Sequence, residues 1–414
     1  MTSQRALRCW LRHLAGREDG RAGAPTAAEW GEIAGLAELH NLRPLTYRRV
    51  TDGPFAASIP SEVAEGLRSA YLETAVRNAL ILKHSARAIT ALAAAGIEAI
   101  PLKGLHLCRF VYPEPALRGM ADVDLLLRRD RLAEAERIFV EQGFGPLPRP
   151  DLDEFCGWSN HLAKLIKQGE PVYELHWHVE RPLSSFEIDL DGLWARSAPA
   201  ELEGAPVRTL AAEDLFHHVA LHGAYHHSFQ RSAFRMIVDL HAILAACGAS
   251  FDWPALVERA NAWGTGRYLY VALRVTGSVL ELELPMDVLG ELEHGREEEQ
   301  VAGQAHDFLL GLGAEVPDAY LALARTTGLW ERGKHILRHT FPARPEMERI
   351  YGLAPGAWLA PRYVARLGHL IATRTGLLLS SLTGREVRRA AVDRESARRL
   401  IEDWTGSRPG PPGD

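Results

Sequence analysis

Hydrophobic and polar positions follow three rhythms along this chain. Up to about residue 95 the spacing is helical. Thr26-Ala-Ala-Glu29 opens one helix as a capping box, a threonine followed three residues later by glutamate. Apolar positions recur at Ile33, Leu36, Ala37 and Leu42, with Pro44 near the end. A second helical stretch begins at Ser61 and runs, with room for a break, to Ala95, where Gly96 stands as a C-terminal cap. Between about 97 and 210 the rhythm becomes alternation. Segments 97–102 and 122–127 read as short strands, and 172–179 alternates cleanly. Between them Asp130 caps a helix that carries Leu132, Ala135, Ile138 and Phe139 and stops at Gly143. From Ala211 helices return, over 214–229, 235–246, 253–262 and on to about 403. The order predicts an α+β protein. A small mixed-sheet core at 96–210 lies between an N-terminal helical region, 1–95, and a C-terminal helical domain, 211–405, with a disordered tail at 406–414.

Composition narrows the class. The 414 residues exceed what one ordinary core organises, and 47% hydrophobic with 24% charged is the balance of a soluble globular protein. A net charge of −6 argues against a general polyanion-binding surface. Cys9, Cys108, Cys156 and Cys247 are scattered with no CxxC pair, which favours reduced thiols in a cytoplasmic protein. The N-terminus lacks the apolar core of a signal peptide. The most apolar late run, 364–382, is interrupted by Arg366, His369 and Arg374 and reads as an amphipathic helix, not a membrane span. Five lysines stand against 42 arginines, as in a GC-rich bacterial genome, so a lysine at 103 is informative. Lysine and arginine differ where a compact charge must meet a phosphate.

Asp122 and Asp124 carry the chemistry. One residue apart on a strand, they point to the same face. Carboxylates that close repel, and keeping them together makes sense around a hard divalent cation. Lys103-Gly104, upstream, is a turn at which a phosphate can lie against backbone N–H groups. On 172–179, Glu174 and His176 share a face with Val172 and His178, while Tyr173, Leu175, Trp177 and Val179 form an apolar face. If this strand neighbours 122–127, Glu174 becomes a third carboxylate; the bland reading is an exposed strand face with harmless polar groups. Lys103 and Arg118 are the cations available for triphosphate charge, although Arg118 could simply pair with Asp122 four residues on. A rival site lies in Phe216–His227, where His218, His222 and His226 recur at a spacing that can hold a transition metal. Inward histidines are more often hydrogen-bonded core residues. Asp239 and His241 could join them, or Asp239 could pair with Arg235 one turn earlier. GxSxG, Walker, GxGxxG and HExxH motifs are absent, which removes serine hydrolase, P-loop and Rossmann readings.

Pro101-Leu-Lys-Gly104, Arg118-Gly-Met-Ala-Asp122-Val-Asp124-Leu-Leu-Leu127 and Glu174-Leu-His-Trp177 together resemble the uncharacterised nucleotidyltransferase family. That family is distantly similar to kanamycin nucleotidyltransferase and the DNA polymerase β-like superfamily. Leu36-Ala-Glu-Leu-His40-Asn-Leu-Arg-Pro44-Leu45 and Leu221-His222 with Arg235-Met-Ile-Val-Asp239-Leu240 extend the likeness over roughly 30 to 370. The resemblance implies a minimal nucleotidyltransferase sheet with helical flanks, Asp122 and Asp124 as the metal-binding pair and Glu174 as the third carboxylate. Lys103-Gly104 departs from the Gly-Ser or Gly-Gly usual at that turn. Homologues of this sort can occur beside peptide natural-product genes, which fits a modified-peptide or small-metabolite acceptor.

The leading expectation is an enzyme dependent on Mg²⁺ (or Mn²⁺). It would move an NMP group from an NTP, ATP first among donors, to a hydroxyl or phosphate of a small-molecule or peptide acceptor. Asp122, Asp124 and Glu174 would be catalytic and hold the metal, with Glu174 as ligand or base. Lys103, Gly104 and Arg118 would bind nucleotide, and His176, His222, Arg235 and Asp239 would support them or face the acceptor. Two alternatives remain: a non-catalytic nucleotide-binding scaffold on the same fold, and a metal-dependent phosphohydrolase built on the histidine helix. Low charge and the lack of an aromatic-interleaved basic patch argue against nucleic acid, and no membrane partner is expected.

Overall fold

The computed structural model describes residues 4–310, apart from 18–22, 147–151, 158, 183, 230–232 and 293, with a few positions beyond 340. The amphipathic run at 364–382, most of the last helices and the tail at 407–414 lie outside the described residues. The chain divides into two compact units, Thr2–His306 and, with Met1, Asp307–Asp414. The first contains the N-terminal helices, the sheet and the helices that follow it.

Four helices come first: α1 (Gln4–Leu14), α2 (Ala27–Leu39), α3 (Arg43–Thr51) and α4 (Ser61–Ala94). The capping box forms as expected, Thr26 N–H donating to Glu29 Oε2 at 2.7 Å and Glu29 N–H to Thr26 Oγ1 at 3.3 Å. The helix expected to reach Leu42 stops at Leu39, because Asn41 turns left-handed at φ 56°. Pro44 then sits in the first turn of α3, where its missing N–H breaks no helical bond. Helix α4 runs 34 residues without a break. It ends in paired bonds from Ile97 N–H to Leu92 C=O and from Gly96 N–H to Ala93 C=O, with Gly96 at φ 69°.

The sheet has five strands in the order β1-β2-β5-β4-β3: β1 (Ile100–Pro101), β2 (Asp122–Leu126), β3 (Gly145–Pro146), β4 (Leu165–Ile166) and β5 (Val172–His176). Among the described strands only β2 and β5 pair in parallel. The other pairings are antiparallel, so the sheet is mixed, as the pattern predicts. A hairpin of β6 (Ala198–Leu202) and β7 (Ala205–Thr209) joins near β1, Arg208 N–H donating to Ala99 C=O. Val123, Leu125, Tyr173 and Leu175 pack with Ile89 and Leu92 of α4 and with Leu132 and Phe139 of the helix that follows β2. That face is the core. The alternate positions of β2 and β5 carry the polar residues.

Several local readings shift. The first strand shortens to two residues, and the chain turns at Lys103 into a short helix, α5 (Lys103–His106), widened to a π-turn over Leu107–Val111. Helix α6 (Leu132–Glu141) takes Arg131 as its N-cap, and Asp130 lies in a 3₁₀ turn before it without capping. After α7 (Leu152–Cys156) and α8 (Leu190–Arg196) the expected helix 214–229 divides. Helix α9 spans Ala212–Leu221, a π-turn covers His222–His226, and Ser228 and Phe229 turn left-handed. Gly223 is required there, since a Cβ would lie 2.2 Å from Met236 Sδ of α10 (Ala233–Cys247). The predicted 253–262 helix is α11 (Trp253–Ala262), followed by α12 (Gly266–Leu280), α13 (Met286–Glu291) and α14 (Arg296–Leu309). None of the four cysteines forms a disulfide. No helix among the described residues is long and apolar enough to cross a membrane.

His13, His106 and His217 are each at most 3% exposed, and burial lowers their pKa values to about 4, about 4 and about 3. Between the unfolded value near 6.5 and these folded values, the unfolded chain binds protons that the native state refuses. Stability therefore falls as pH falls through that window. Urea unfolding at pH 7 and pH 5 should show a loss of up to about 1.4 kcal/mol per pH unit for each such histidine. A His106→Asn variant should show a shallower slope.

Candidate active site

Register brings the carboxylates together. In the parallel pairing of β2 and β5, Asp124 stands level with Glu174, Asp122 with Val172 and Leu126 with His176. Period two then places Asp122, Asp124, Glu174 and His176 on the face away from the core. On the other side of β2, Leu102 N–H donates to the Asp124 backbone carbonyl at 3.0 Å. The next residue, Lys103, is therefore in reach, and its Nζ lies 2.8 Å from Asp124 Oδ1. His176 Nε2 approaches the same oxygen at 2.8 Å and Glu174 Oε2 at 3.6 Å. With Nε2 donating, His176 Nδ1 is an acceptor, and it is buried without a partner. Glu174 also meets Lys164 Nζ at 3.3 Å and His161 Nε2 at 4.0 Å. His161 joins through a backbone bridge to His176.

The electrostatics follow from this crowding. Asp124 is only 2% exposed. Burial opposes its ionisation, but Lys103 and His176 prevail and hold its carboxyl far below the usual range. Glu174 behaves alike: burial would raise it, and the hydrogen bond to His176, helped by His161 and Lys103, lowers it to about 2. Burial works against the Lys103 ammonium too, yet Asp124, Glu174 and Asp122 raise its pKa. Asp122 is the exception. Burial and then its two acidic neighbours raise its pKa, and no cation pairs with it among the described residues.

Not every expected role survives. Gly104 does not make the turn: Lys103 itself takes the left-handed conformation at φ 42°, and Gly104 lies in the first turn of α5 under Met120. Arg118 pairs neither with Asp122 nor with open space. Its Nε and Nη2 bind both oxygens of Asp239 at 2.9–3.1 Å, and Nη1 donates to Gly119 C=O at 2.5 Å. Tyr112 Oη completes that buried knot, donating to Asp239 Oδ1 at 2.8 Å. Asp239 is thus removed from the histidine helix, and His241 faces Arg49 and Ala15 instead. Arg235 pairs with neither.

His218 and His222 nonetheless lie within electrostatic reach of the site. His218 and His222 are held far below the usual range, by burial first and then by Lys103, with His176 and Asp124 also acting on His218. His222 Nε2 lies 3.1 Å from His227 Nε2, and His226 Nε2 lies 2.9 Å from Glu180 Oε1. The sequence reading missed His161, Lys164, Glu180 and Tyr112. Only Tyr112 and Glu180 stood close to motifs that were singled out. Among the described residues one group brings three metal-capable side chains together, Asp124, Glu174 and His176, with ligand atoms within 4.8 Å of one another.

This geometry, a mixed sheet with acidic groups on adjacent parallel strands and helices around it, is that of a nucleotidyltransferase core. A family model described as uncharacterised nucleotidyltransferase matches residues 26–281, and the chain belongs to that family. No curated protein and no solved structure matches it.

Replacing Asp239 with asparagine would leave the Arg118 guanidinium buried without its counter-charge. Urea denaturation should register a loss of about 3–5 kcal/mol, the range for breaking one side of a buried pair.

Proposed function

We propose that the protein transfers a nucleoside monophosphate from an NTP, ATP in the first instance, to a hydroxyl or phosphate of a small molecule or peptide, with a divalent cation as cofactor. The observation that carries this reading is the level pairing of Asp124 with Glu174 on adjacent parallel strands, with Asp122 on the same face. The donor set fits a divalent cation: carboxylate oxygens suit Mg²⁺ or Mn²⁺, and the imidazole of His176 leaves room for the softer of the two. Asp122, Asp124 and Glu174 would hold it. When bound, such a cation neutralises charge on the phosphoryl group being transferred.

The side chains supply the rest. Lys103 would meet the triphosphate, its ammonium turning from Asp124 to phosphate oxygens. The acceptor oxygen forms a bond to the α-phosphorus, and the bond from that phosphorus to the bridging oxygen breaks. Pyrophosphate leaves with the electron pair. The acceptor's proton passes to solvent, and Asp122, the one carboxylate of the three with no side-chain cation against it, is left open for the divalent cation. Of the two roles expected for Glu174, ligand suits it better than base, because its low pKa makes it a weak proton acceptor. His176 fixes Asp124 by hydrogen bond. Cysteines outside any disulfide suit a cytoplasmic setting.

Nucleotide binding without turnover has one observation in its favour, since Lys103 already neutralises Asp124. The two readings part in a calorimetric titration with each NTP, in the presence and absence of Mg²⁺ or Mn²⁺. Transfer predicts that NTP affinity rises at least about tenfold with metal and that Asp124→Ala loses this increment while remaining folded. Metal-independent binding favours the scaffold. A wild type that binds no NTP under either condition rules out both.

A further inference from the structure

Sequence spacing offers Arg235 a partner that the fold withholds. Asp239 lies one turn along α10, the usual position for an i,i+4 ion pair. Both oxygens of that carboxylate are instead held by Arg118, and one also by Tyr112. Arg235 makes no ion pair and no hydrogen bond among the described residues, although it is half-buried. Burial first, and then the neighbouring Arg118 guanidinium, act against its charge, and Asp122 lies within electrostatic reach of it. None of its nitrogens is among the fully buried, unpartnered atoms, so the guanidinium retains access to solvent.

An arginine cannot escape such a position by losing its proton. A half-buried, unpaired guanidinium beside a second one opposes folding, and the opposition ends when an anion arrives. The candidate anion must reach the Asp122 face and carry several oxygens that match a planar fork. We propose that Arg235 binds the polyphosphate of the nucleotide, and that Arg118, one of the two cations the sequence offered for that role, is the strut that keeps Asp239 away from it. This rests on the nucleotide reading above and adds the residue that recognises the phosphates.

The test is calorimetric titration of tripolyphosphate, ATP and adenosine, in phosphate-free buffer with Mg²⁺, into wild type, Arg235→Gln, Arg235→Lys and Arg118→Gln. Melting temperature of each protein without ligand is recorded alongside. Arg235→Gln should weaken tripolyphosphate and ATP by about ten- to a hundredfold, the range for losing charge-assisted hydrogen bonds, and leave adenosine unchanged. Its ligand-free melting temperature should equal or exceed that of wild type, whereas Arg118→Gln should melt earlier. Arg235→Lys should recover part of the affinity, since it restores the charge without the fork. Equal affinity of wild type and Arg235→Gln for tripolyphosphate overturns the inference alone. So does a ligand-free melting temperature lowered as far as in Arg118→Gln, which would mark Arg235 as structural. A wild type that binds ATP but not tripolyphosphate also overturns it, and one that binds neither removes the nucleotide reading with it.

Discussion

Everything at this site depends on one confinement, two carboxylates held level on adjacent parallel strands. Unit charges about 4 Å apart in a protein of effective dielectric near 20 repel by about 4 kcal/mol, and burial adds to that. Asp124 and Glu174 stay ionised because ammonium groups and imidazoles converge on them: Lys103 and His176 on the first, Lys164, His176 and His161 on the second. The left-handed backbone of Lys103 follows from the same need. A non-glycine residue in that region costs about 1–3 kcal/mol, comparable to or less than the repulsion it relieves. A glycine there would relax the backbone and leave Asp124 without its ammonium. The departure from a small-residue turn is therefore a consequence of the charge the strand must carry.

A second buried knot fixes the helical half against the sheet. Arg118 leaves the segment just ahead of β2, Tyr112 ends the π-turn after α5, and Asp239 comes from α10. Their hydrogen bonds are fully satisfied on the Asp239 side, which is the condition for a buried charge pair to be tolerated. Asn78 of α4 braces the same segment, donating to Pro115 C=O at 2.6 Å and Arg118 C=O at 2.9 Å. The segment that delivers Asp122 is thus anchored from both sides. The π-turns at Leu107–Val111 and His222–His226 sit where these helices meet the site, a setting in which such bulges recur.

Much of this was legible in the order of residues, and the failures have physical reasons. Alternation identified β2 and β5, with Asp122 and Asp124 on one face of the first and Glu174 and His176 on one face of the second, because period two is a local property of the backbone; that the strands are neighbours, the condition for one common face, came only with the fold. Caps at Thr26 and Gly96 were legible for the same reason. Ion-pair partners were not. Helical spacing favours Arg235 with Asp239 by a few tenths of a kcal/mol, and a bidentate buried contact from Arg118 outweighs it. Strand ends failed as well: β1 keeps two of six predicted residues, losing three at its start, where Ile97 N–H still closes the end of α4, and one at its end, where the chain turns to aim Lys103 at Asp124. His161 carries no periodic signal at all. It reaches Glu174 through a bridge that only the folded sheet creates.

The histidine helix and the acidic strands, rivals in the sequence, belong to one electrostatic neighbourhood. His218 and His222 feel Lys103, and His218 feels Asp124 and His176 as well. Because burial keeps them neutral, they add no positive charge opposite an ammonium and a cation site. A neutral imidazole can accept or donate a hydrogen bond, and His218 Nε2 is buried with no partner to use it. Charged side chains in the same places would compete with Lys103 for the carboxylates. Apolar ones would offer a polar acceptor nothing to bind. Uncharged histidines near a carboxylate cluster therefore leave the balancing of its charge to Lys103 and Lys164 and keep a hydrogen-bonding atom of their own in reserve.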